Sequence, residues 1–450
     1  MITENNTNIL IIGDIILDEY IQVKINKIAN EAPIPVFSYS DKKYILGGCG
    51  NVYQNMKLFN NKLYIISVVG NDNNGMIIKN MINNNDIIID DCRKSTVKTR
   101  IVSDNKILLR YDNEDTFLIN SSIEEMIINK FDMIFDKIDI VVFSDYNKGV
   151  LTQSICQYII NKCNQYNKIT IGDLKHNFNY FTNITLTKPN LLEAMNYTKK
   201  KKLIEIHKHI IETIKCKYSI VTMGKEGISF YENNKLYKTA YLSEEIIDVT
   251  GAGDIVTSVI GSLYNKTDIK TILTIATYLG TLSVKKSGTY CLNYIDILSA
   301  YSYINNKDLT CDIIYYLKKS KSKIVFTNGC FDILHIGHIQ YLEQARKLGD
   351  YMIVGINSDD SVSRLKGPTR PINNIYDRIN FLKRFDFIDY IVEFNQDTPL
   401  ELIKLLEPDI LVKGGDYTHD TVVGREYAKQ VVILPFVEGK STTNIINKIL

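Results

Sequence analysis

The sequence is poor in several residue types: it has no tryptophan, eight cysteines, eight prolines and 24 glycines among 450 residues. Cysteines this sparse do not make a disulfide scaffold, and no pair has the C-x-x-C spacing of a structural zinc site. Proline and glycine are too few for a collagen-like or low-complexity chain. These absences predict ordinary globular domains in a reducing compartment, without a dedicated protein metal site.

Long hydrophobic runs and an excess of one charge are also absent. No apolar run reaches 18 residues, so no membrane span is expected, and the polar residues 1–8 do not resemble a signal peptide. The formal net charge of +2 creates no broad field for a nucleic acid. We therefore expect a cytoplasmic protein with neither a membrane nor a nucleic-acid partner.

Short apolar segments alternate with longer amphipathic segments along the chain. Residues 9–14 form an apolar run that ends in Gly-Asp, and similar runs lie at 63–69 and 138–143. The stretches 121–135 and 152–163 have the hydrophobic period of helices. This alternation predicts an α/β fold in which helices cover a parallel sheet.

Two further features organise the chain. Residues 15–39 and 96–109 read as extended segments that form a small antiparallel flap. A basic, serine-containing run near residue 320 is followed by a second alternating unit. We therefore predict a first domain at 1–318, a solvated linker at 319–322 and a second α/β domain at 323–450.

The motif D-V-T-G-A-G-D, residues 248–254, precedes an apolar helical stretch. Glycines at a helix start let backbone N–H groups approach an anion, and the helix dipole favours negative charge there. The carboxylate of Asp254 follows directly and can accept a proton from a hydroxyl that attacks phosphorus. Taken alone, the motif could equally be a glycine turn in which Asp254 caps the helix.

Two further groups of residues fit phosphoryl transfer to a sugar. Asn190 and Glu193 lie three apart, on one face if helical, and suit outer-shell binding of a hydrated Mg²⁺. A glycine cluster upstream would allow a sugar close to the backbone, where polar side chains could bind its hydroxyls. The residues concerned are Gly47, Gly48, Asn51, Asp14 and Asp18.

In these motifs and their order, residues 8–305 resemble the ribokinase-type carbohydrate kinase family. The resemblance implies that Asp254 is the general base and that Asn190 and Glu193 support Mg²⁺. It also implies that the backbone amides of Gly251, Ala252 and Gly253 form an anion hole for the γ-phosphate of the nucleotide. Thr222 and Gly224 would lie beside the same nucleotide.

The stretch F-T-N-G-C-F-D-I-L-H-I-G-H, residues 326–338, is the most specific motif of the chain. Its histidines, His335 and His338, lie three apart at the predicted start of a helix, and Gly337 leaves room for a phosphate. Two imidazoles at a helix N-terminus can stabilise the charge that develops on an α-phosphate when pyrophosphate leaves. No cluster of Cys or carboxylates completes a metal site here.

Residues 323–450 thereby resemble the H-x-G-H nucleotidyltransferases, which implies a smaller Rossmann-like domain. The resemblance places His335, His338 and Lys366 at the triphosphate and Lys413 near the acceptor sugar phosphate. Further residues would hold the same nucleotide, either through the β- and γ-phosphates or by flanking it. They are Ser441 and Thr442 for the phosphates, and Thr327, Asn328 and Phe331 as flanking residues.

A sugar kinase followed by a nucleotidyltransferase resembles the bifunctional heptose 7-phosphate kinase / heptose 1-phosphate adenylyltransferases. The resemblance covers nearly the whole chain and implies ATP as substrate of both halves, Mg²⁺, and a homodimer formed through the kinase half. The 7-phosphate requires a cation, and Lys148 and Lys175 are the candidates. Each of these lysines could also be a surface residue near a strand end.

Several alternatives remain open at this stage. The same two reactions could use another sugar phosphate, or CTP in place of ATP. The kinase half could be weakened, since Cys49, Gly50 and Tyr53 replace smaller or different residues of the family pattern, and Leu174 and His176 alter a D-P-K-G element. A binding scaffold without turnover is the non-enzymatic alternative, against which the intact Asp254 and histidine pair argue.

Overall fold

The structure is a computed structural model that describes residues 7–59, 61–82, 87–104, 106–239, 246–286, 288–305, 317–318, 322–385, 387–415 and 418–435. The chain divides into two compact units, residues 1–304 and 305–450, which are described separately. The domain limits predicted from the sequence, 318 and 323, stay predictions. Ser441 and Thr442 lie outside the described residues.

The N-terminal unit is built on a nine-stranded sheet. In spatial order its strands are β13 (Lys235–Lys238), β12 (Ile228–Glu232), β11 (Tyr218–Thr222), β10 (Leu186–Thr187), β9 (Ile169–Asp173), β8 (Ile140–Ser144), β1 (Asn8–Gly13), β4 (Lys62–Gly70) and β5 (Ile87–Asp90). The pairs from β11 to β5 are parallel, whereas β12 and β13 pair antiparallel. The predicted parallel sheet is confirmed.

Helices cover both faces of this sheet. They are α1 (Cys49–Lys57), α2 (Asn73–Ile82), α3 (Ser121–Ile134), α4 (Gln153–Gln165), α5 (Leu191–Thr198), α6 (Leu203–Ile214), α7 (Ala252–Leu263), α8 (Ile269–Ser283) and α9 (Tyr294–Asn305). Alternate residues of β1 enter different cores: Ile9 and Ile11 pack with α1, α7 and α8, and Leu10 and Ile12 with α3, α4 and α6. A strand buried on both faces must be apolar throughout, which explains the run at 9–12.

A separate four-stranded sheet forms the flap. Its order is β3 (Pro35–Gly48), β2 (Ile15–Ile28), β6 (Val97–Ser103) and β7 (Lys106–Asn113). The expected flap is present, but its central pair, β2 and β6, is parallel rather than antiparallel. The reason is connectivity: β6 comes from the distant end of β5, not from a hairpin with β2, so no tight turn imposes an antiparallel pair.

The C-terminal unit has a five-stranded parallel sheet of order β16 (Tyr390–Phe394), β15 (Tyr351–Asn357), β14 (Ile324–Gly329), β17 (Ile410–Gly414) and β18 (Gln430–Leu434). Its helices are α10 (Ile336–Arg346), α11 (Asp359–Lys366), α12 (Ile375–Leu382) and α13 (Leu400–Leu406). The carboxyl ends of β14 and β17 therefore lie at one edge, where ligands of open α/β sheets bind. Helix α10 begins at Ile336, so the predicted helix start at the histidine pair is present and His338 lies within the first turn.

Candidate active sites

Asp254 lies in the first turn of α7, close to side chains from two other parts of the N-terminal unit. Gly251 caps this helix with φ near +81°, a conformation that L side chains rarely adopt. The N–H groups of Gly253 and Asp254 precede the first helical hydrogen bond, which Ile255 donates to Gly251. Such N–H groups have no acceptor in the helix and point toward any anion placed at its start.

Two donors hold the carboxylate of Asp254. The amide Nδ2 of Asn51 donates to one oxygen at 2.9 Å, and the hydroxyl of Tyr146 donates to the other. Burial raises the pKa of Asp254 to about 6, although both donors and the charge of Lys175 act in the opposite direction. The negative charge of Asp173 adds to the increase. A carboxyl group with this pKa is largely ionised at physiological pH and could accept a proton there.

A cavity of about 360 Å³ opens beside the start of α7. Its lining brings together every residue that the sequence assigned to the kinase nucleotide site, and apolar side chains complete its walls. The predicted residues are Asn190, Glu193, Thr222, Gly224, Gly251, Ala252 and Gly253, and the apolar ones include Ile228, Ile246, Val249, Val256 and Val284. An apolar wall suits the heterocyclic base of a nucleotide, and the start of helix α7 suits the phosphates of that nucleotide.

Asn190 and Glu193 cap the N-terminus of helix α5. The side chain of Asn190 accepts from the N–H of Glu193 at 2.9 Å, and Glu193 accepts from the N–H of Asn190 at 2.7 Å, which is a capping box. The other oxygen of Glu193 pairs with the ammonium of Lys175 at 3.0 Å. This donor set fits a hydrated Mg²⁺ carried by nucleotide phosphates. Three-residue clusters able to cage a metal are absent from the described residues.

Lys188 and Asp173 form a buried ion pair in the same cavity, which the sequence analysis did not identify. Their side chains are 3% and 2% exposed, and 3.0 Å separates the ammonium from a carboxylate oxygen. Thr257 donates a further hydrogen bond to Asp173. The ammonium lies 3.7 Å from the position that a Cβ on Gly253 would take. A fixed positive charge therefore faces the anion-binding end of α7.

Replacing Lys188 with Met should destabilise the N-terminal unit, because it leaves the carboxylate of Asp173 buried without its counter-ion. We expect the free energy of unfolding of this unit to fall by about 3 kcal/mol. Urea denaturation followed by circular dichroism measures it, with adenylyltransferase activity as the marker of the other unit. The double variant Lys188→Met/Asp173→Asn should recover most of the loss; equal instability of both variants would contradict the ion-pair explanation.

The two aspartates predicted to bind the sugar, Asp14 and Asp18, have different hydrogen-bond partners in the structure. Asp14 accepts hydrogen bonds from the backbone N–H groups of Tyr146, Lys148 and Val150, so its carboxylate holds the loop that carries Tyr146. Its pKa is raised to about 6, chiefly by burial. Asp18 instead accepts from Arg100 at 2.6 Å and from the hydroxyl of Thr289 at 2.8 Å.

The glycine pair lies directly against these aspartates. A Cβ on Gly47 would come within 2.5 Å of the carboxylate of Asp18, and one on Gly48 within 2.4 Å of the carbonyl oxygen of Asp14. Cys49, which follows them, is fully buried, and its thiol donates to the carbonyl of Gly13. The cysteine side chain thus lies in the core beside β1.

The two candidate phosphate anchors have carboxylate partners. Lys175 lies in the nucleotide cavity, paired with Glu193. The ammonium of Lys148 pairs with Glu114 at 2.5 Å, outside the residues that line that cavity. The structure therefore does not place them together at one sugar-phosphate position, and their assignment as anchors stays a prediction.

In the C-terminal unit, the paired histidines lie side by side at the start of α10. His335 is the N-cap residue, and the centroids of the His335 and His338 rings are 3.9 Å apart. Burial and the neighbouring His335 lower the pKa of His338 to about 4. Among the described residues, Nδ1 of His338 is buried without a hydrogen-bond partner. Each of these features suits a site that an anion completes.

The other predicted nucleotide residues lie around this pair. The side chain of Lys413, at the end of β17, donates to the amide oxygen of Asn328, at the end of β14. The ring of Phe331 packs edge-on against His338 at 5.6 Å. Thr327 is buried and bonded to the hydroxyl of Tyr341 at 2.6 Å, which suits a supporting position better than direct nucleotide contact.

The loops of this site are held by groups that the sequence analysis did not single out. The guanidinium of Arg378 is fully buried and donates to the carbonyl oxygens of Cys330, Asn357 and Asn373. Lys366, the last residue of α11, is exposed, and its charge acts on the thiol pKa of Cys330. The assignment of Lys366 to the triphosphate stays a prediction.

Comparison with known proteins agrees with both halves. Residues 6–293 match the pfkB family carbohydrate kinase model, and residues 326–446 match the cytidylyltransferase-like model. Among solved structures, phosphofructokinase-2 from Escherichia coli superposes with a TM-score of 0.54 at 14% identity, over 67% of this chain and all of that one. A putative sugar kinase from Clostridium perfringens gives 0.52 at 18% identity, over 68% and 96% of the two chains. These two likenesses concern the fold alone.

Curated relatives match along the entire chain. Bifunctional protein HldE from Helicobacter hepaticus is 37% identical, with 98% of this chain and 96% of that protein covered. The HldE proteins of Campylobacter concisus and Campylobacter jejuni are 40% and 38% identical, covering 98% and 100% of this chain and 97% and 98% of theirs.

The fold and the two sites thus define a bifunctional enzyme, a pfkB-type sugar kinase joined to a cytidylyltransferase-like nucleotidyltransferase. With relatives of this identity over its whole length, the chain belongs to the HldE family of bifunctional heptose kinase/adenylyltransferases. The family resemblance seen in the sequence motifs is confirmed.

Proposed function

We propose that each half carries out one of two consecutive steps on the same sugar. In the first, the anomeric hydroxyl of D-glycero-β-D-manno-heptose 7-phosphate loses its proton to Asp254 and attacks the γ-phosphorus of ATP, releasing ADP. In the second, the heptose 1-phosphate attacks the α-phosphorus of another ATP, giving ADP-heptose and pyrophosphate. The juxtaposition of Asp254 with the start of α7 and the nucleotide cavity carries the first assignment.

The kinase step needs charge stabilisation as well as a base. The N–H groups at the start of α7 and the ammonium of Lys188, which lies close to Gly253, would stabilise the charge of the transferring phosphate. Mg²⁺, carried by the ATP phosphates, would supply further positive charge, with Asn190 and Glu193 contacting its water ligands. The amide of Asn51, which donates to the carboxylate of Asp254, would hold this base in place for the sugar hydroxyl.

The adenylyl transfer step needs no covalent enzyme intermediate. His335, His338 and the start of α10 would stabilise the charge that develops on the α-phosphate. Lys366 would contact the leaving pyrophosphate, and Lys413 the incoming sugar phosphate. Ser441 and Thr442, at the β- and γ-phosphates, belong to the same proposal and lie outside the described residues.

The test of the overall function is product analysis. Purified protein is incubated with ATP, Mg²⁺ and heptose 7-phosphate, and products are identified by mass spectrometry and phosphorus NMR; ADP, pyrophosphate and ADP-heptose are expected. Parallel reactions contain CTP or another hexose or heptose phosphate. Preferred turnover of one of these would replace the substrate assignment, and absence of any turnover would favour a binding scaffold.

We further infer a cytoplasmic homodimer. The seven described cysteines are unbonded thiols, as expected in a reducing compartment. The flap exposes apolar side chains on β7, with Ile107, Leu109 and Tyr111 between 47% and 53% exposed. Pairing with a second copy would remove these side chains from water. Light scattering after size-exclusion chromatography measures the mass, and a value of one chain would exclude the dimer.

The kinase should lose activity as pH falls through about 6, because Asp254 must be ionised to accept the proton and its pKa is raised to that region. We expect kcat/KM of the kinase step to decrease about tenfold per pH unit below this value. Tyr146→Phe removes a donor that favours the ionised carboxylate, so the decrease should then begin at higher pH. The measurement is initial kinase rate against pH.

A matched control is Tyr158→Phe, which removes an exposed tyrosine hydroxyl bonded to Asp132 on α3. Its pH profile should equal that of the unmodified protein. An unshifted profile in the Tyr146 variant would show that this hydroxyl does not act on the base.

A further inference from the structure

Helix α1 carries two asparagines, Asn51 and Asn55, whose side chains are completely buried. They lie four positions apart, so both side chains are on one face of the helix. The amide Nδ2 of Asn55 donates to Oδ1 of Asn51 at 2.9 Å, and Nδ2 of Asn51 donates to the carboxylate of Asp254 at 2.9 Å. The carboxylate is thus connected, through one amide, to a second amide that no bound ligand can contact.

This series of hydrogen bonds begins at a backbone group that can only donate. The N–H of Leu292 donates to Oδ1 of Asn55 at 2.8 Å. Asn55 must therefore turn its oxygen to Leu292 and its NH₂ group to Asn51. Asn51 in turn presents its oxygen to Asn55 and its NH₂ group to Asp254. The direction of every hydrogen bond in the series follows from the N–H of Leu292.

A half turn of the Asn51 amide would be unfavourable at both of its ends. Its oxygen would then face the carboxylate of Asp254, and its NH₂ group would face the NH₂ group of Asn55. Buried donors and acceptors left without partners are costly, so Asn55 opposes this rotation. Among the described residues, the other side-chain donor to this oxygen is the thiol of Cys291 at 3.5 Å. An S–H group is a weak donor, and this one lies closer to Gln54, at 3.1 Å.

The segment that supplies the N–H of Leu292 is held on its other side by the flap. The N–H of Thr289 donates to the hydroxyl of Tyr20 at 2.8 Å, and the hydroxyl of Thr289 donates to Asp18 at 2.8 Å. Both partners belong to β2. The segment is therefore fixed between β2 and α1, which keeps the N–H of Leu292 in place against Asn55.

The titratable groups around Asp254 are unchanged by a substitution at position 55. They are Asp173 with its partner Lys188, Lys175, Tyr146, Cys49 and Cys291. Asp173 raises the pKa of Asp254, and Lys175 lowers it. Burial raises the pKa of the tyrosine hydroxyl and of both thiols, so these three groups stay protonated near neutral pH. The hydrogen bond from Asn51 lowers the pKa of Asp254, and it is the contact that Asn55 controls.

We propose that Asn55 is a positioning residue of the kinase, which fixes the amide of Asn51 in the orientation that donates to Asp254. This inference rests on the proposed role of Asp254 as the base of the kinase step. Asn55 contacts neither the sugar nor the nucleotide and acts through Asn51. The hydrogen bond that it maintains favours the ionised carboxylate, which is the form that accepts the proton of the sugar hydroxyl.

The test is the pH dependence of the kinase step in Asn55→Leu, with the full-length protein, ATP and heptose 7-phosphate. Leucine is close to asparagine in length but neither donates nor accepts, so the amide of Asn51 can turn its oxygen to Asp254. The acid limb of kcat/KM should move up by about one pH unit. Relative to the unmodified protein, kcat/KM should be about one tenth near pH 5.5 and about equal near pH 8.5, where the carboxylate is ionised in both. KM for ATP should not change.

The matched control is Met56→Ala, which removes an equally buried side chain from the same helix. A loss of packing lowers the amount of active protein, so the activity of this variant relative to the unmodified protein should be the same at every pH. If the relative activity of Asn55→Leu is also independent of pH, Asn55 has a structural role only and the proposal is wrong. Should Asn55→Leu not fold, Asn55→Ser, whose side chain is too short to reach Asn51, is measured in the same way with the same expectation.

Failure of this proposal can be distinguished from failure of the base assignment. Kinase activity that persists in Asp254→Asn would overturn the role of Asp254 itself. An inactive Asp254→Asn, together with an unshifted acid limb in the Asn55 variant, would leave the base in place and overturn only the positioning role of Asn55.

Discussion

Asp254→Asn should reduce formation of heptose 1-phosphate by about 10³-fold, the size of effect expected when a general base is removed. An amide cannot accept the proton of the anomeric hydroxyl, while it keeps the size of the carboxylate and one oxygen that can still accept a hydrogen bond from Asn51 or Tyr146. Adenylyl transfer to supplied heptose 1-phosphate should be unchanged, because that chemistry uses groups of the other unit. Coupled detection of ADP and of pyrophosphate measures the two steps separately.

The matched control for this substitution is Asp132→Asn, which alters an exposed carboxylate on α3 bonded to Lys162 and Tyr158. Both activities should persist in it. If Asp254→Asn retained the kinase rate, another group would have to accept the proton and the assignment of the base would be wrong.

His338→Ala should have the opposite effect. Adenylyl transfer should fall by about 10²- to 10³-fold, the loss measured when one donor to a developing negative charge is removed. The low pKa of His338 keeps its imidazole neutral in the ligand-free protein, and a bound triphosphate favours protonation and strengthens the contact. The kinase rate should remain unchanged, and pyrophosphate release with supplied heptose 1-phosphate measures the loss.

His209→Ala is the matched control, since this histidine on α6 packs edge-on against the ring of Tyr197 and lies outside both sites. A mixture of the Asp254 and His338 variants should form ADP-heptose, because the intermediate made by one can diffuse to the other. Loss of both activities in either folded variant would contradict the division of labour between two sites.

Much of the architecture follows from local patterns in the sequence. The apolar run at 9–12 predicts a strand buried on both faces, and it is the inner strand β1. Glycines at 251 and 253 mark the start of α7, where Gly251 has the positive φ that few other residues tolerate. The histidine spacing marks the start of α10. These features can be predicted from the sequence because each residue affects the backbone conformation of positions close to it in the chain.

Contacts between residues far apart in the chain could not be predicted in this way. Tyr146 and Asp254 are 108 positions apart, and Asn51 and Asp254 are 203 apart. The sequence suggested Lys175 as a sugar-phosphate anchor, but its neighbour in space is Glu193 of the nucleotide cavity. No periodicity or motif indicates which distant side chain will neutralise a given charge.

The sequence by itself predicted the alternation of strands and helices, the helix starts at the glycine and histidine motifs and the chemical groups that these motifs carry, because backbone conformation and burial respond to residues a few positions apart. Only the tertiary structure decided which charges are neutralised and by which partner. Asp173 pairs with Lys188, and Lys148 pairs with Glu114. Ion pairing depends on distances of a few ångströms between segments that only the folded sheets bring together.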